Sequence, residues 1–266
     1  MSEIANYFLY RNAEGETGLS ANSIDDLNLD DLFAEIDYCH SSIGRQYLYY
    51  LLLSDKTSGM EKQEALLSSL ATHTGLRTLL SNTLKELDKP DAYSIVSILE
   101  NDNTGIGAKE MALINICRFL PLLFLALMLL THSGVFLTLF VFSFVANAVL
   151  HYRNKAKIQR YFFSIPHLLK MIRQAGKLAQ NKEFISVNPS ITTDLKAVEG
   201  LKKYISYFRF NLSLDNDMAI MFYMVAELIR VFFLHEAYAV GRTFHLLKEK
   251  ATAIHNVYRF IGFLDS

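Results

Sequence analysis

The chain has 266 residues, 51% of them hydrophobic, with only 4 Pro and 12 Gly and a net charge of −1. That much apolar material with so few breakers excludes a disordered chain and a turn-rich β protein, and the length suits one large or two small domains. The neutral total hides an asymmetry: Met1 to Glu110 holds 8 basic and 18 acidic residues, whereas His151 to Ser266 holds 17 and 9. An acidic front and a basic back flank the most hydrophobic stretch, a pattern that orients a chain at a membrane or draws an anionic partner.

Up to Ser20 the sequence is mixed and polar and shows no signal-peptide pattern. The first helical signal follows, with Asn28 as cap, Asp30 and Asp31 at the positive end, and Leu29, Leu32, Phe33 and Ile36 at helical spacing. Ser41 or Ser42 caps a second helix containing Leu48, Leu51 and Leu52, and Ser58 precedes a third. Further helices are expected near 76–88 and 91–100, and Asn101 to Gly107 reads as a linker. The two cysteines, Cys39 and Cys117, form no metal-ligand spacing and need not be paired; Cys117, at the edge of an apolar run, reads as a buried free thiol, which points to a reducing compartment.

Ala112 to Leu130 carries one charge, Arg118, in nineteen residues, and Val135 to Leu150 carries none in sixteen. At ~1.5 Å per residue the two reach roughly 28 and 24 Å, near the ~30 Å hydrocarbon thickness. Thr131 to Gly134 is just long enough to turn an antiparallel pair. A soluble core would need protein on every side of four apolar turns without a polar stripe, so a transmembrane hairpin is expected, with Arg118 snorkelling to the headgroups and Pro121 kinking the first helix. Eight basic residues and no acid lie between His151 and Lys182, beginning Arg153, Lys155, Lys157 and Arg160, while the THSG loop has no Lys or Arg. The positive-inside rule then puts both termini in the cytoplasm, at the inner membrane. The basic run reads as a solvated juxtamembrane helix on anionic lipid, with DNA as the alternative partner.

Beyond Pro189 a helix is expected near Thr193 to Asn211, then a long one from about Asp217 to Lys250. Its opening, Met218 to Leu234, is apolar, but Glu227 and Arg230 are three apart and can pair, which favours a central core helix over a third span. No phosphate loop, nucleophile elbow or zinc-protease motif occurs; His235-Glu236 and His245 lack the spacing of metal ligands. No enzyme site, and no cofactor in this chain, is expected.

Asp37, Ser41, Ser42, Gly44, Arg45 and Leu48, in the context LFAEIDYCHSSIGRQYLYYLLLSD, resemble the start of the core (lever) domain of MutS-family DNA mismatch-repair ATPases. In that family an Asp precedes a Ser/Thr-rich turn and a Gly-Arg pair that opens a helix. Leu234 to Ser266 resembles the lever helix returning towards the ATPase, and the hairpin looks like that of a membrane-spanning MutS-related subgroup. The resemblance implies an all-α, MutS-core-like domain interrupted by a transmembrane hairpin, divided 1–107, 108–152 and 153–266. It also implies that ATP would be bound only by an ATPase domain outside these residues, so the chain would be a helical scaffold whose partners are the bilayer and either that domain or a second copy.

Overall fold

The computed structural model describes residues 3–16, 18–19, 21–26, 28–54, 60–89, 92–93, 95–96, 108–162, 164–201, 228–229 and 231–266. The protein is all-α; among the described residues the one β contact is an isolated antiparallel bridge between Gly18 and Ser54. Two compact units are each assembled from separate stretches of chain. The first takes Met1–Glu100, Phe163–Lys202 and Glu249–Ser266; the second takes Asn101–Phe162 and Lys203–Lys248. The stretch expected as one segment, 153–266, is thus shared between them.

The first unit contains α1 (Asn6–Ala13), α2 (Ala21–Asp26), α3 (Leu29–Ile36), α4 (Ser42–Leu53), α5 (Met60–Thr72) and α6 (Thr74–Lys85). In the second, α7 (Ala108–Cys117), α8 (Leu120–Thr131) and α9 (Gly134–Phe162) follow. The chain returns to the first with α10 (Ser164–Leu178), α11 (Lys182–Val187) and α12 (Ile191–Glu199). After α13 (His235–Glu249), the last helix α14 (Ala251–Asp265) closes the first unit.

At the centre of the first unit is α14, with Ile254, Val257, Tyr258, Phe260, Ile261 and Leu264 buried against α4, α10 and α12. It crosses α4 at glycines. A Cβ on Gly262 would stand 2.6 Å from the Tyr47 side chain, and one on Gly44 would overlap the carboxyl of Asp265. Position 44 faces 265 and 47 faces 262, so the helices run antiparallel. A tyrosine cluster continues the contact: Tyr7 stacks on Tyr258 at 4.7 Å and meets Tyr50 edge-on at 5.1 Å. Its polar edges are satisfied, Tyr258 donating to Gln46 Oε1 at 2.6 Å and Tyr50 to Glu16 Oε2 at 2.7 Å. Burial and the Glu16 partner push the Tyr50 phenol up to about 12.

Several expectations from sequence change. Asn28 sits in the left-handed region (φ 46°) and makes no side-chain cap, so α3 starts without one. The basic run is not one solvated helix, because α10 buries Ile165, Leu168, Met171, Ile172, Ala175 and Leu178 on one face and is a core helix. The spacing of those residues carries that signal; the charges obscured it. The long helix expected to Lys250 is broken at Leu234 (φ 48°), and α13 and α14 are separated at Lys250. Of the stretch expected as a core helix, the described residues are divided: Leu228 and Ile229 are 57% and 53% exposed, whereas Val231 and Leu234 are buried. The linker 101–107, residues 202–227 with Glu227, and Arg230 lie outside the described residues, as do Ser58 and most of 91–100.

If the α4–α14 crossing is as tight as this geometry requires, Gly262→Ala should cost about 1–3 kcal/mol through overpacking. A Cβ on Gly176, within α10, meets nothing within 4 Å. Gly176→Ala should therefore stabilise by roughly 0.5–1 kcal/mol from helix propensity alone. Chemical denaturation of the two variants beside the parent checks both signs.

Candidate functional site: the Asp37–Leu48 motif and the apolar hairpin

The motif residues come together at the N-terminus of α4. Ser41 caps the helix, its Oγ accepting from the Gly44 amide at 3.0 Å, which resolves the choice between Ser41 and Ser42. Ser42 donates its hydroxyl to the Lys89 carbonyl at 3.0 Å. Arg45 donates to Asp37 at 3.1 Å and to Asp88 at 2.8 Å, and Asp37 also accepts from the Cys39 amide at 3.1 Å. Leu48 is half-buried on the following turn.

What the sequence did not reveal is the far partner. Asp265, the last residue of α14, accepts from the His40 amide at 2.8 Å, the Ser41 amide at 2.7 Å and the Ser41 hydroxyl at 2.5 Å. Its side chain is 1% exposed. Burial raises the carboxyl above its ordinary value, and the bonds from Ser41 and His40 work against that shift. A carboxylate at the end of its own helix is at the unfavourable pole; here it also lies at the favourable, positive end of α4. Beside it, burial pushes the Cys39 thiol far above the usual range, with the charges of Asp265 and Asp37 adding to the effect, which keeps Cys39 a neutral, inert thiol. Motif and C-terminus form one hydrogen-bonded junction.

The hairpin lies in the second unit. Lys109–Thr131 and Gly134–Arg153 are each long and apolar enough to cross a membrane, with mean hydropathies of 2.3 and 1.9. The turn falls where expected: α8 ends at Thr131, His132 takes a left-handed conformation (φ 51°), and α9 begins at Gly134. Ring and aliphatic side chains face outward along both, among them Leu123, Leu130, Phe142 and Val145. The first helix is interrupted at Arg118-Phe119, between α7 and α8, just before Pro121.

A polar stripe runs along the inner face of α9, contrary to the stripe-free reading of its sequence. Ser143, Asn147 and His151, each four residues apart, are all buried. Asn147 is 1% exposed and donates Nδ2 to two carbonyls, Cys117 at 3.2 Å and Phe232 at 3.0 Å. Both carbonyls lie at helix breaks. Pro121 has no amide hydrogen for the Cys117 carbonyl, and the left-handed Leu234 interrupts the helix beside Phe232. The Arg118 guanidinium lies 4.3 Å from the Tyr238 ring centre and 4.5 Å from that of Phe119. The lipid or DNA candidates begin at this end of α9. Arg153 pairs with Glu110 at 3.2 Å, while the side chains of Lys155, Lys157 and Arg160, on the same helix, lie outside the description.

Among the described residues no group of three His, Cys, Asp or Glu side chains is placed to hold a metal ion. No protein-family model, curated protein or solved structure matches the chain.

Two outcomes follow. Because the folded carboxyl of Asp265 is raised, its contribution to stability is fully present below the unfolded value and is lost as pH rises through the folded one. The stability of the wild type relative to Asp265→Asn should therefore rise as pH is lowered from neutrality towards 4, as read from thermal unfolding in detergent. Replacing Asn147 by Leu leaves two buried carbonyls unpaired and should cost about 1–3 kcal/mol for each, seen as a lower midpoint in the same assay.

Proposed function

We propose that this chain is a membrane-anchored, non-catalytic helical scaffold, whose first unit is a MutS-like core that couples to an ATPase domain outside these residues or to a second copy. The observation that carries the anchoring is the hairpin's surface: in their most apolar windows only 11% of the first helix and 17% of the second is buried within the protein. That much unburied Leu, Val and Phe is stable against hydrocarbon and unstable against water. The short THSG turn and the basic residues after the second helix support a hairpin whose two ends both face the cytoplasm.

The MutS-like part of the reading rests on the Asp37–Leu48 motif. Its polar groups are engaged in positioning α4, which supports a load-transmitting role for the motif over a chemical one. In such a scaffold, α4 and α14 would move as one body, and the hairpin would hold that body at the membrane surface.

Single cysteines at Ser133 and Asn154, in a background lacking Cys39 and Cys117, test the anchoring. On intact cells an impermeant thiol reagent should label position 133 and leave 154 unlabelled until the cells are opened. Labelling of 154 alone would reverse the orientation, and recovery of the protein in the soluble fraction would end the membrane reading. Purified protein given ATP and Mg²⁺ should show no turnover that a point change in this chain abolishes.

A further inference from the structure

Residues 228–229 and 231–234 of the second unit present two faces. Val231 and Leu234 are 4% and 0% exposed. Leu234 packs with Ile114, Cys117 and Leu150, and the Phe232 ring lies 6.2 Å from Phe140 and 6.3 Å from Phe144. The other face presents Leu228, Ile229 and Phe233 outward, all apolar and all exposed. Phe140, Phe144 and Asn147 lie 13, 9 and 6 residues before Arg153, which at ~1.5 Å per residue is roughly 20 to 9 Å along the helix from the basic end. Phe232 therefore docks beside the middle of the second hairpin helix rather than at its mouth.

We infer that residues 228–234 are a third membrane-embedded element, docked on the hairpin, with Leu228, Ile229 and Phe233 in contact with lipid acyl chains. The inference rests on the membrane reading of the hairpin and adds to it a segment whose mid-sequence charges argue against lipid. Continuity of the apolar surface identifies hydrocarbon as the occupant of its outer face, since the exposed side of α9 beside it is also Val, Leu and Phe. The backbone fits as well. A helix break is tolerated at membrane depth only where protein covers it, and here Leu234 is fully buried while Asn147 takes up the Phe232 carbonyl.

The test places an environment-sensitive NBD fluorophore on single cysteines at Leu228, Ile229, Phe142 and Tyr38 in the full chain lacking Cys39 and Cys117, reconstituted in phosphatidylcholine vesicles. Phe142 is the hairpin reference, and Tyr38, 85% exposed in the first unit, is the water reference. Probes at 228 and 229 are expected to behave like the one at 142, losing most of their emission to doxyl-labelled lipid and little to iodide, with 38 showing the reverse. Iodide quenching at 228 and 229 with lipid quenching retained at 142 would overturn the third embedded element and leave the hairpin anchor standing. Iodide quenching at 142 as well would overturn both.

Discussion

The carboxylate of Asp265 holds together parts of the first unit that are 224 residues apart in sequence. It accepts hydrogen bonds from two amides and a hydroxyl at the start of α4, where unpaired amides and the helix dipole leave partial positive charge. Glycines set the approach on both sides, Gly44 making room for Asp265 and Gly262 for Tyr47. Once α14 is seated, the tyrosine cluster and the aliphatic faces of α10 and α12 have a surface to close on. The polar contact fixes the register; burial of Ile254, Val257, Phe260 and Ile261 supplies most of the free energy.

The second unit uses the same kind of device with the opposite polarity. There a side-chain donor, Asn147, satisfies backbone acceptors at two helix breaks, whereas Asp265 is an acceptor serving backbone donors. In both places one buried polar group ties distant segments together by satisfying main-chain atoms that their own helices leave open. Such groups are effective because the surroundings are apolar: an unpaired carbonyl or amide there loses its water without replacement, so the geometry that pairs it is strongly preferred.

These junctions bear on the scaffold reading. Ser41, Ser42, Arg45 and Asp37 each have partners within the chain, so in the proposed scaffold the motif would act by fixing position. A displacement of α14 would be felt at α4 through Asp265, and the Arg45 bonds to Asp37 and Asp88 would carry it to the end of α6. Glu86 extends the path, accepting from Gln174 at 2.6 Å and pairing with Lys177 at 3.5 Å, so that acidic front and basic back meet inside the first unit. Part of the charge asymmetry is thereby accounted for by intramolecular pairing.

The all-α class, the hairpin with its turn, the helix after Ser41 and the free cysteines were legible in the sequence, because each depends on local periodicity, composition or a cap within one or two turns. The core role of α10 was legible too, in its i, i+3, i+4 apolar spacing, but the run of eight basic residues between His151 and Lys182, three of them in α10, drew the reading towards the surface. The N-terminal helix escaped notice because Tyr7, fully buried, sits in a polar stretch and gains its environment only from Tyr47, Tyr50 and Tyr258. Tertiary structure alone decided that Asp265 meets Ser41, that Asn147 spans two breaks, that Arg118 lies under Tyr238 and that Phe232 and Leu234 join the hairpin. Sequence spacing encodes which face of a helix is apolar; it does not encode which distant backbone atoms that face will be asked to satisfy.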